Sequence, residues 1–325
     1  MILLPQQTWQ AVVTQLQSAK KVMIVSHQSP DADTIGSQLA LFDALQNMGI
    51  AVRMCNSDHV PRICRYLPCS AQIEVGKSPD VSDIDTMIAV DAGAKSRLGF
   101  DAAFFEGKTL INIDHHASNP LYADINVVNA DYCATGAMIF DLIQHLGQAL
   151  TKNSAVALYA AILTDTASFQ VERVSADVHR MVAILIEAGA EPAVAAHHIY
   201  DSQPLARVSL LTLTLQTLTT AHAGRSVWLH VNQDMLDKTG VALEDTEGFI
   251  DFGRSIDGVE VVIFIRPDQD KRWKVSFRGK HGRDVAALAA QLGGGGHRYA
   301  AGCAVSGTLE EVYAQLHAVV DDTFS

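Results

Sequence analysis

The chain has 325 residues, of which 48% are hydrophobic and 18% are charged. This length and composition exclude a disordered chain and favour two domains, each with its own core. The formal net charge of −12 argues against a protein that grips long nucleic acid, because such proteins carry a basic footprint. A phosphate-bearing ligand should therefore be small, or be held by a local basic patch and by metal ions.

Targeting and redox signals are also missing from the sequence. No apolar run approaches the length of a membrane span, and the N-terminus has neither a basic flank nor a long apolar region. The five cysteines are scattered and form no CxxC pair. We therefore expect a cytoplasmic protein with reduced thiols and no membrane partner.

The first half of the chain alternates short apolar runs with amphipathic stretches. Residues 22–25, 87–90 and 110–113 are predicted to be buried strands. Apolar residues at helical spacing predict a helix over 35–45, and a continuous apolar stretch predicts a buried helix over 155–164. Alternation of this kind is typical of an α/β fold with a parallel sheet.

A break near residues 187–204 separates this half from a different pattern. Residues 205–220 fit either a helix or a strand, since leucine and threonine alternate over part of the segment, and we favour a connecting helix because of its length. We predict strands over 226–231, 259–266 and 272–278.

Two helix starts complete this second half. Asp284 is a plausible N-cap for a short helix, and Thr308 opens a capping box for a final amphipathic helix. The expected organisation is a catalytic domain over 1–188, a linker with a connecting helix over 189–222, and a smaller α+β domain over 223–325.

Acidic residues and histidines cluster at the ends of the predicted elements. His27, Asp31 and Asp33 follow the first strand, where ligands of open α/β sheets collect. An alternative is that Asp33 caps the next helix and Asp31 is a turn residue. Asp91 ends the second strand, and an isolated aspartate there is more often a turn residue than a ligand.

Two further clusters are harder to explain by packing or turns. Asp114, His115 and His116 leave the third strand together, and neighbouring strand residues point in opposite directions, so at most one histidine can belong to the core. Asp165 ends an apolar helix, where the helix dipole disfavours a carboxylate unless a cation is bound. Carboxylate and imidazole donors without thiolate suit Mn²⁺ and Mg²⁺, and the set matches a two-metal site for phosphoryl hydrolysis.

Four motifs in this order, HQSPDAD, VDAG, DHH and TDTASF, resemble those of the DHH phosphoesterase superfamily. The segment LGGGGHRYAAG near the C-terminus is similar to the glycine-rich motif of the DHH-associated domain. Together the motifs resemble the bacterial branch that degrades nanoRNA and dephosphorylates pAp (adenosine 3′,5′-bisphosphate). The resemblance covers essentially the whole chain.

The resemblance implies a role for each position. One metal ion would be held by His27, Asp31 and Asp91, and a second by Asp33, Asp91, His115 and Asp165, so that Asp91 bridges them. Asp114 would orient a ligand histidine, and His116 would face the substrate phosphate; with Asp91, these are the expected catalytic residues. We expect two divalent ions, Mn²⁺ first, with Mg²⁺ or Co²⁺ as alternatives.

The C-terminal domain carries candidate substrate-binding residues of its own. Alternation in the strand over 272–278 puts Ser276 and Arg278 on the face opposite Trp273, within a stretch over 271–283 that contains six Lys or Arg and no acid. A solvated edge strand is the alternative. Arg97 could also reach the site, or lie on the surface. The glycine run that precedes His297 exceeds what a helix C-cap needs, and it could offer N–H donors to an anion through Gly294, Gly295 and Gly296.

These observations predict a metal-dependent phosphoesterase for very short RNA or DNA oligonucleotides and for pAp. Alternatives are an inorganic pyrophosphatase, a cyclic-dinucleotide phosphodiesterase and a non-catalytic nucleotide-binding regulator. The glycine segment argues against the pyrophosphatase, and the intact ligand set argues against the regulator. Nothing in the sequence implies an obligate protein partner, and a homodimer stays open.

Overall fold

The computed structural model describes residues 5–269 and 271–324, without the side chains of Glu244 and Gln269. It divides into two compact units, a first unit Met1–Ser202 and a second unit Gln203–Ser325. The boundary lies within the segment in which the sequence places a break. The finer division into catalytic domain, linker and α+β domain remains a prediction.

The first unit is built on a six-stranded sheet in which every neighbouring pair is parallel. Its strand order is β3-β2-β1-β4-β5-β6, and its strands are β1 (Lys21–Val25), β2 (Ala51–Asn56), β3 (Glu74–Val75), β4 (Thr86–Val90), β5 (Thr109–Asp114) and β6 (Ile125–Val128). The three strands predicted from apolar runs are the central ones, because strands covered on both faces need continuous hydrophobic sequence. The expected α/β fold with a parallel sheet is confirmed.

Helices and short 3₁₀ turns cover the sheet of the first unit. The helices are α1 (Gln6–Ser18), α2 (Ala32–Asn47), α3 (Thr135–His145), α4 (Lys152–Asp165), α5 (Ala176–Glu187) and α6 (Pro192–Ala196), followed by a π-helical turn (His197–Asp201). The 3₁₀ turns are Arg62–Cys64, Ser70–Gln72, Lys95–Leu98 and Ala102–Phe105. One apolar cluster, which includes Trp9, Ile35 and Phe140, packs with α1 to α5, and a second, around Met87 and Phe104, lies against the other face.

The second unit has a mixed sheet with helices on both faces, which confirms the predicted α+β character. Its strand order is β11-β12-β10-β9-β8-β7, with β8 and β9 parallel and the other pairs antiparallel. The strands are β7 (Thr219–Ala221), β8 (Ser226–His230), β9 (Val261–Gln269), β10 (Arg272–Gly279), β11 (Gly295–His297) and β12 (Ala300–Ser306). The helices are α7 (Leu205–Gln216), α8 (Gln233–Thr239), α9 (Phe249–Arg254), α10 (Val285–Gln291) and α11 (Leu309–Phe324), with 3₁₀ turns at His222–Gly224 and Leu243–Thr246.

Local sequence signals for helix boundaries are confirmed in the second unit. The segment that fits a helix or a strand forms α7, a helix. Asp284 caps α10 by accepting from the backbone N–H groups of Ala286 and Ala287. Thr308 and Glu311 exchange the two hydrogen bonds of a capping box at the start of α11. Among the described residues, no helix combines the length and the apolar character needed to cross a membrane.

Candidate metal centre

The candidate residues of the first unit meet at one edge of its sheet. Strands β1, β4 and β5 are adjacent, and the chain leaves their carboxyl ends at His27, Asp91 and the Asp114-His115-His116 motif. The order of the strands reverses between β1 and β4, which is the position where α/β sheets form a ligand crevice. Helix α2 begins after Asp31, and α4 ends at Asp165, so both helices bring carboxylates to the same edge.

Three groups of donor atoms of the first unit form there, and two of them consist entirely of predicted metal ligands. In the first cluster, His27, Asp31 and Asp91 each offer one atom within 4.8 Å of the others, and in the second cluster Asp33, His115 and Asp165 do the same. The Nε2 atom of His115 lies 3.8 Å from Asp33 Oδ2 and 3.5 Å from Asp165 Oδ2. It also lies 3.7 Å from Asp91 Oδ1, whereas Asp91 Oδ2 lies 3.5 Å from His27 Nε2. Asp91 therefore presents one oxygen to each cluster.

Two threonine hydroxyls hold the carboxylate of Asp91. Thr34 donates to Asp91 Oδ2 at 2.7 Å, and Thr135 donates to Asp91 Oδ1 at 3.0 Å. Asp91 itself has a left-handed backbone with φ 56, a conformation that aspartate tolerates better than most residues. Neither threonine was predicted from the sequence. Thr34 directly follows the DAD motif, which was an available signal, but the contact of Thr135 depends on the packing of α3.

Asp33 combines its place in the second cluster with a structural role. Its two oxygens accept from the backbone N–H groups of Thr135 at 2.7 Å and Gly136 at 2.8 Å, which are the first two residues of α3. Ala134 precedes α3 and supplies no side-chain cap. Asp31, not Asp33, is the N-cap of α2, accepting from Thr34 N at 3.0 Å. Asp33 therefore does cap a helix, as the alternative interpretation proposed, but that helix is α3 and not the helix α2 that Asp33 belongs to.

The pKa values of the carboxyl groups in the two clusters are shifted by burial and by the charges of neighbouring groups. Burial raises the pKa of Asp33 well above its ordinary value, and the charges of Asp91, Asp165 and Asp31 raise it further. For Asp91, burial acts in the same direction, but the nearby histidines outweigh it and hold the pKa well below its ordinary value. Burial also raises the pKa of Asp165 to about 6, against the opposing effect of His115. Concentrated buried carboxylates of this kind need cations or protons.

The donor set fits divalent metal ions. Four carboxylates and two imidazoles converge without a thiolate, which is the preference of Mn²⁺ and Mg²⁺. The ring orientation of His27 is fixed by a 2.7 Å contact between its Nδ1 and the carbonyl oxygen of Gln28. That of His115 is fixed by a 3.2 Å contact between its Nδ1 and the carbonyl oxygen of Tyr132. In both histidines the Nε2 atom therefore faces the cluster, as metal-binding histidines require.

The ring of His116 is oriented by a hydrogen bond to Asp114. Its Nδ1 lies 2.7 Å from Asp114 Oδ1, and Asn119 donates to the other oxygen of Asp114 at 2.6 Å. The expectation that Asp114 orients a ligand histidine is thus corrected: its partner is His116, while His115 relies on the Tyr132 carbonyl. Burial lowers the pKa of His116, but the hydrogen bond to Asp114 and the charge of Asp91 outweigh burial and raise the pKa to about 9.

Arg97 lies close to this edge of the sheet. It belongs to the 3₁₀ turn Lys95–Leu98, and its carbonyl oxygen accepts from Gln28 N at 2.7 Å. Its side chain is exposed, and its charge lowers the pKa of both His27 and His116. The structure therefore places a solvent-facing cation beside the two clusters.

The substrate-binding candidates of the second unit share one face of its sheet. Strand β12 lies between β10 and β11, and its Ala300 is opposite Arg278 on one side and His297 on the other. In the same way, Gly302 is opposite Ser276 and Gly295. Because directly opposite residues of antiparallel strands point to the same side, Ser276, Arg278 and His297 all lie on this face, which we call the β10–β11 face.

The glycine run serves the fold as well. The N–H groups of Gly293 and Gly294 donate to Ala290 and Ala289 in a helix C-cap that ends α10. A Cβ at Gly294 would lie 2.2 Å from the carbonyl oxygen of Gly302, so this position requires glycine for close packing. The N–H of Gly294 is therefore not available to an anion, whereas Gly295 and Gly296 lie in β11.

Part of the basic stretch over 271–283 is also engaged in the fold. Arg283 pairs with Glu260 at 2.6 Å, Lys280 donates to the carbonyl oxygen of Arg254 at 3.0 Å, and Arg272 pairs with Asp268 at 3.3 Å. These three cations support the second unit itself. Arg278 donates to the carbonyl oxygen of its neighbour Phe277, at 3.2 Å.

Comparison with known proteins places these features in a family. Residues 21–162 match the DHH family, N-terminal domain, and residues 231–325 match the DHHA1 domain. The bifunctional oligoribonuclease and PAP phosphatase NrnA of Thermus thermophilus is 32% identical over 91% of this chain and 87% of its own length. The protein of the same description from Bacillus subtilis is 22% identical over 87% of this chain and 89% of its own length.

Solved structures show the same fold. An exopolyphosphatase-related protein from Bacteroides fragilis superimposes with a TM-score of 0.85 at 23% identity, covering 98% of this chain and 96% of that one. RecJ from Thermus thermophilus, solved in complex with Mn²⁺, gives a TM-score of 0.59 at 14% identity and covers 99% of this chain and 55% of RecJ. With two family domains in order and a relative that is similar along nearly the whole length, the chain belongs to the DHH family and carries its DHHA1 domain.

Proposed function

We propose that this chain is a metal-dependent phosphoesterase that hydrolyses very short oligonucleotides to mononucleotides and dephosphorylates pAp to AMP. The observation that carries the proposal is the pair of donor clusters that share Asp91, with His116 held beside them by Asp114. Relatives named for oligoribonuclease and PAP phosphatase activity support the choice of substrates.

In this proposal two divalent ions are the cofactors, with Mn²⁺ preferred. His27, Asp31 and Asp91 hold one ion, and Asp33, Asp91, His115 and Asp165 hold the other. When bound, the ions supply Lewis acidity toward the phosphoryl oxygens. The RecJ structure with Mn²⁺ supports the choice of metal for this fold.

His116 acts on the substrate rather than on the metals. Its Nδ1 proton is held by Asp114, so its Nε2–H is the donor that can face a phosphate oxygen. The hydrogen bond to Asp114 raises the pKa of the imidazole and so favours its protonated form. The charged ring then stabilises the negative charge that develops on the phosphoryl group. Arg97 adds a second positive charge on the solvent side of the same edge.

The β10–β11 face of the second unit is proposed to bind nucleotide. Ser276, Arg278 and His297 supply hydrogen-bond donors, and the N–H groups of Gly295 and Gly296 allow close approach of an anion. Gly294 contributes by permitting β11 to pack on β12. The net charge of −12 disfavours long polyanions, so we expect substrates of only a few nucleotides.

A substrate panel with Mn²⁺ tests the function. The panel contains pAp, the dinucleotide pApA, a long single strand of the same base, a cyclic dinucleotide and pyrophosphate. We expect the highest kcat/KM for the dinucleotide, together with release of AMP from pAp. Comparable kcat/KM for the dinucleotide and the long strand would contradict the proposed substrate size, and turnover of pyrophosphate alone would contradict the proposed substrate class.

The same assay with Asp91→Ala tests the shared carboxylate. This variant should lose turnover of every substrate, because one side chain serves both clusters. Asp101→Ala is the matched control, since Asp101 is an exposed aspartate of the same unit. Near-normal turnover by Asp91→Ala with a normal metal content would rule out the two-metal arrangement.

A further inference from the structure

Asp141 of α3 is a buried carboxylate that lies outside the two donor clusters. It is 0% exposed, and its Oδ2 atom accepts from Trp9 Nε1 at 3.0 Å and from the hydroxyl of Tyr132 at 2.9 Å. Its Oδ1 atom lies 3.4 Å from His145 Nε2. A carboxylate in an apolar core is weak evidence for stability, because an apolar side chain of similar volume would fill the space without the cost of removing a charge from water. Its hydrogen-bond partners therefore indicate what the carboxylate does.

One of these partners, Tyr132, also contacts a predicted metal ligand. Its carbonyl oxygen lies 3.2 Å from Nδ1 of His115, while its hydroxyl, at the other end of the residue, donates to Asp141. Tyr132 lies in the loop between β6 and α3, where its own N–H donates to Asn129 O over a long 3.4 Å. The hydrogen bond to Asp141 therefore ties this loop to α3, and with it the carbonyl oxygen that orients the ring of His115.

We propose that Asp141 is a positioning residue that acts through Tyr132 to hold His115 in the orientation for binding a metal ion. The inference rests on the proposed function, because it takes His115 as a ligand of the second ion. In a metal-binding histidine, the acceptor on the other ring nitrogen fixes the ring, and its loss lowers metal affinity. Here that acceptor is a loop carbonyl, and the side chain of the same residue is anchored by Asp141. Asp141 thus contributes to metal affinity at a distance of two hydrogen bonds from the ligand itself.

A calorimetric Mn²⁺ titration of the full-length chain tests the positioning role without a measurement of activity. Tyr132→Phe removes the hydroxyl and keeps the ring, and Asp141→Leu removes both acceptor oxygens. Each variant should weaken one of the two Mn²⁺ binding steps by about 10-fold. Asp141→Asn should stay near wild type, because the single oxygen of the amide can accept from both Trp9 and Tyr132, as Oδ2 does. The double variant Tyr132→Phe/Asp141→Leu should bind Mn²⁺ no more weakly than either single variant, since all three break the same hydrogen bond.

Trp9→Phe is the matched control. It removes the other donor to Asp141 Oδ2 and leaves the hydrogen bond from Tyr132 in place. It should therefore lower the unfolding temperature in EDTA and leave both Mn²⁺ binding steps unchanged. A loss of Mn²⁺ affinity in Trp9→Phe equal to that in Asp141→Leu would overturn the inference, because the effect would then come from core packing. Unchanged Mn²⁺ affinity in Tyr132→Phe would overturn it as well, and this variant decides if Asp141→Leu does not fold.

Hydrolysis of pApA and pAp by the same proteins separates this inference from the proposed function. If wild type binds two Mn²⁺ ions but hydrolyses neither substrate, and Tyr132→Phe weakens one binding step, the proposed function fails and the positioning role stands. If wild type is active and Tyr132→Phe binds both ions as tightly as wild type, the positioning role fails and the proposed function stands. A wild-type chain that binds no Mn²⁺ would overturn both.

Discussion

The hydroxyl groups of Thr34 and Thr135 fix the orientation of the Asp91 carboxylate. Asp91 has few conformations open to it, because its backbone is left-handed and both of its oxygens accept from threonines on different helices. Thr34 also lies 2.7 Å from His27 Nε2 and 3.0 Å from Asp31 Oδ1, so its hydroxyl sits among the donor atoms of the first cluster. Residues that orient ligands in this way contribute to metal affinity without binding the metal.

Thr34→Val and Thr135→Val should therefore weaken metal binding or activity, each by about 10- to 100-fold. Valine keeps the shape of the side chain and removes the hydroxyl, whereas Thr34→Ser and Thr135→Ser keep the hydroxyl and should stay near wild type. The measurements are a calorimetric Mn²⁺ titration and kcat/KM at saturating metal. Thr214→Val is the control, since this buried threonine donates only to the carbonyl oxygen of Leu210 in α7. Normal Mn²⁺ affinity and activity in both valine variants would show that neither threonine positions the metal ligands.

At the scale of elements, the turn after α4 holds an uncommon conformation. Ala167, Ser168 and Phe169 have φ values of 48, 63 and 65, so three successive residues with side chains are left-handed. The turn is held by hydrogen bonds from Ser168 N to Leu163 O at 2.8 Å and from Phe169 N to Thr166 Oγ1 at 3.0 Å. The turn follows directly after Asp165, the last residue of α4. Its conformation therefore determines the direction in which the chain leaves the second cluster.

Ala167→Gly should relieve part of this strain. A left-handed residue with a side chain costs about 1–2 kcal/mol, and the extra freedom of glycine in the unfolded chain offsets part of the gain. We therefore expect a change in the free energy of unfolding between zero and about +1 kcal/mol in favour of the variant. Ala183→Gly, at an exposed position inside α5, should instead destabilise by about 1 kcal/mol. Urea unfolding of wild type and of the two variants measures both changes in the free energy of unfolding. Equal losses of stability in Ala167→Gly and Ala183→Gly would mean that the turn stores no strain.

At the scale of the whole molecule, the two units have separate cores and the two clusters lie in the first unit alone. Four carboxylates meet there, and burial together with their mutual repulsion raises the pKa of Asp33. A cation that binds only the folded first unit must stabilise that unit.

Saturating Mn²⁺ should therefore raise the unfolding temperature of the first unit. At a concentration of 100 times Kd, one ion adds about 2.7 kcal/mol, which corresponds to a rise of several degrees. Scanning calorimetry with Mn²⁺ and with EDTA measures the shift, and amide exchange assigns it to a unit. Asp91→Ala should lose the shift and Asp101→Ala should keep it. A shift of the same size in Asp91→Ala would show that Mn²⁺ binds elsewhere.

Much of this architecture follows from local sequence patterns, and the part that does not is non-local. Residues 22–25, 87–90 and 110–113 were predictable as strands because buried parallel strands are continuously apolar. Strands β2 and β6, with mixed burial, carry a weaker pattern and were not predicted. The candidate ligands were recognisable as acids and histidines at element ends.

The partners of these residues were not predictable in the same way. Thr135 lies 44 positions from Asp91 in the sequence, and Asn119 belongs to a loop that carries none of the four motifs. The Asp33 contacts to α3 join residues 102 and 103 positions apart. Only the packed chain shows that one carboxylate serves both a helix and a cluster of donor atoms.

That double use of Asp33 has a consequence for how the chain folds. Helix α3 has no cap of its own, so its first turn stays incomplete until α2 is in place beside it. Contacts of such long sequence separation form late, because the loop between them must close first. The second donor cluster is therefore completed by the same event that completes α3. An unfinished chain presents neither a finished helix nor a full set of acidic donors, and premature capture of a metal ion by a partly folded chain is disfavoured.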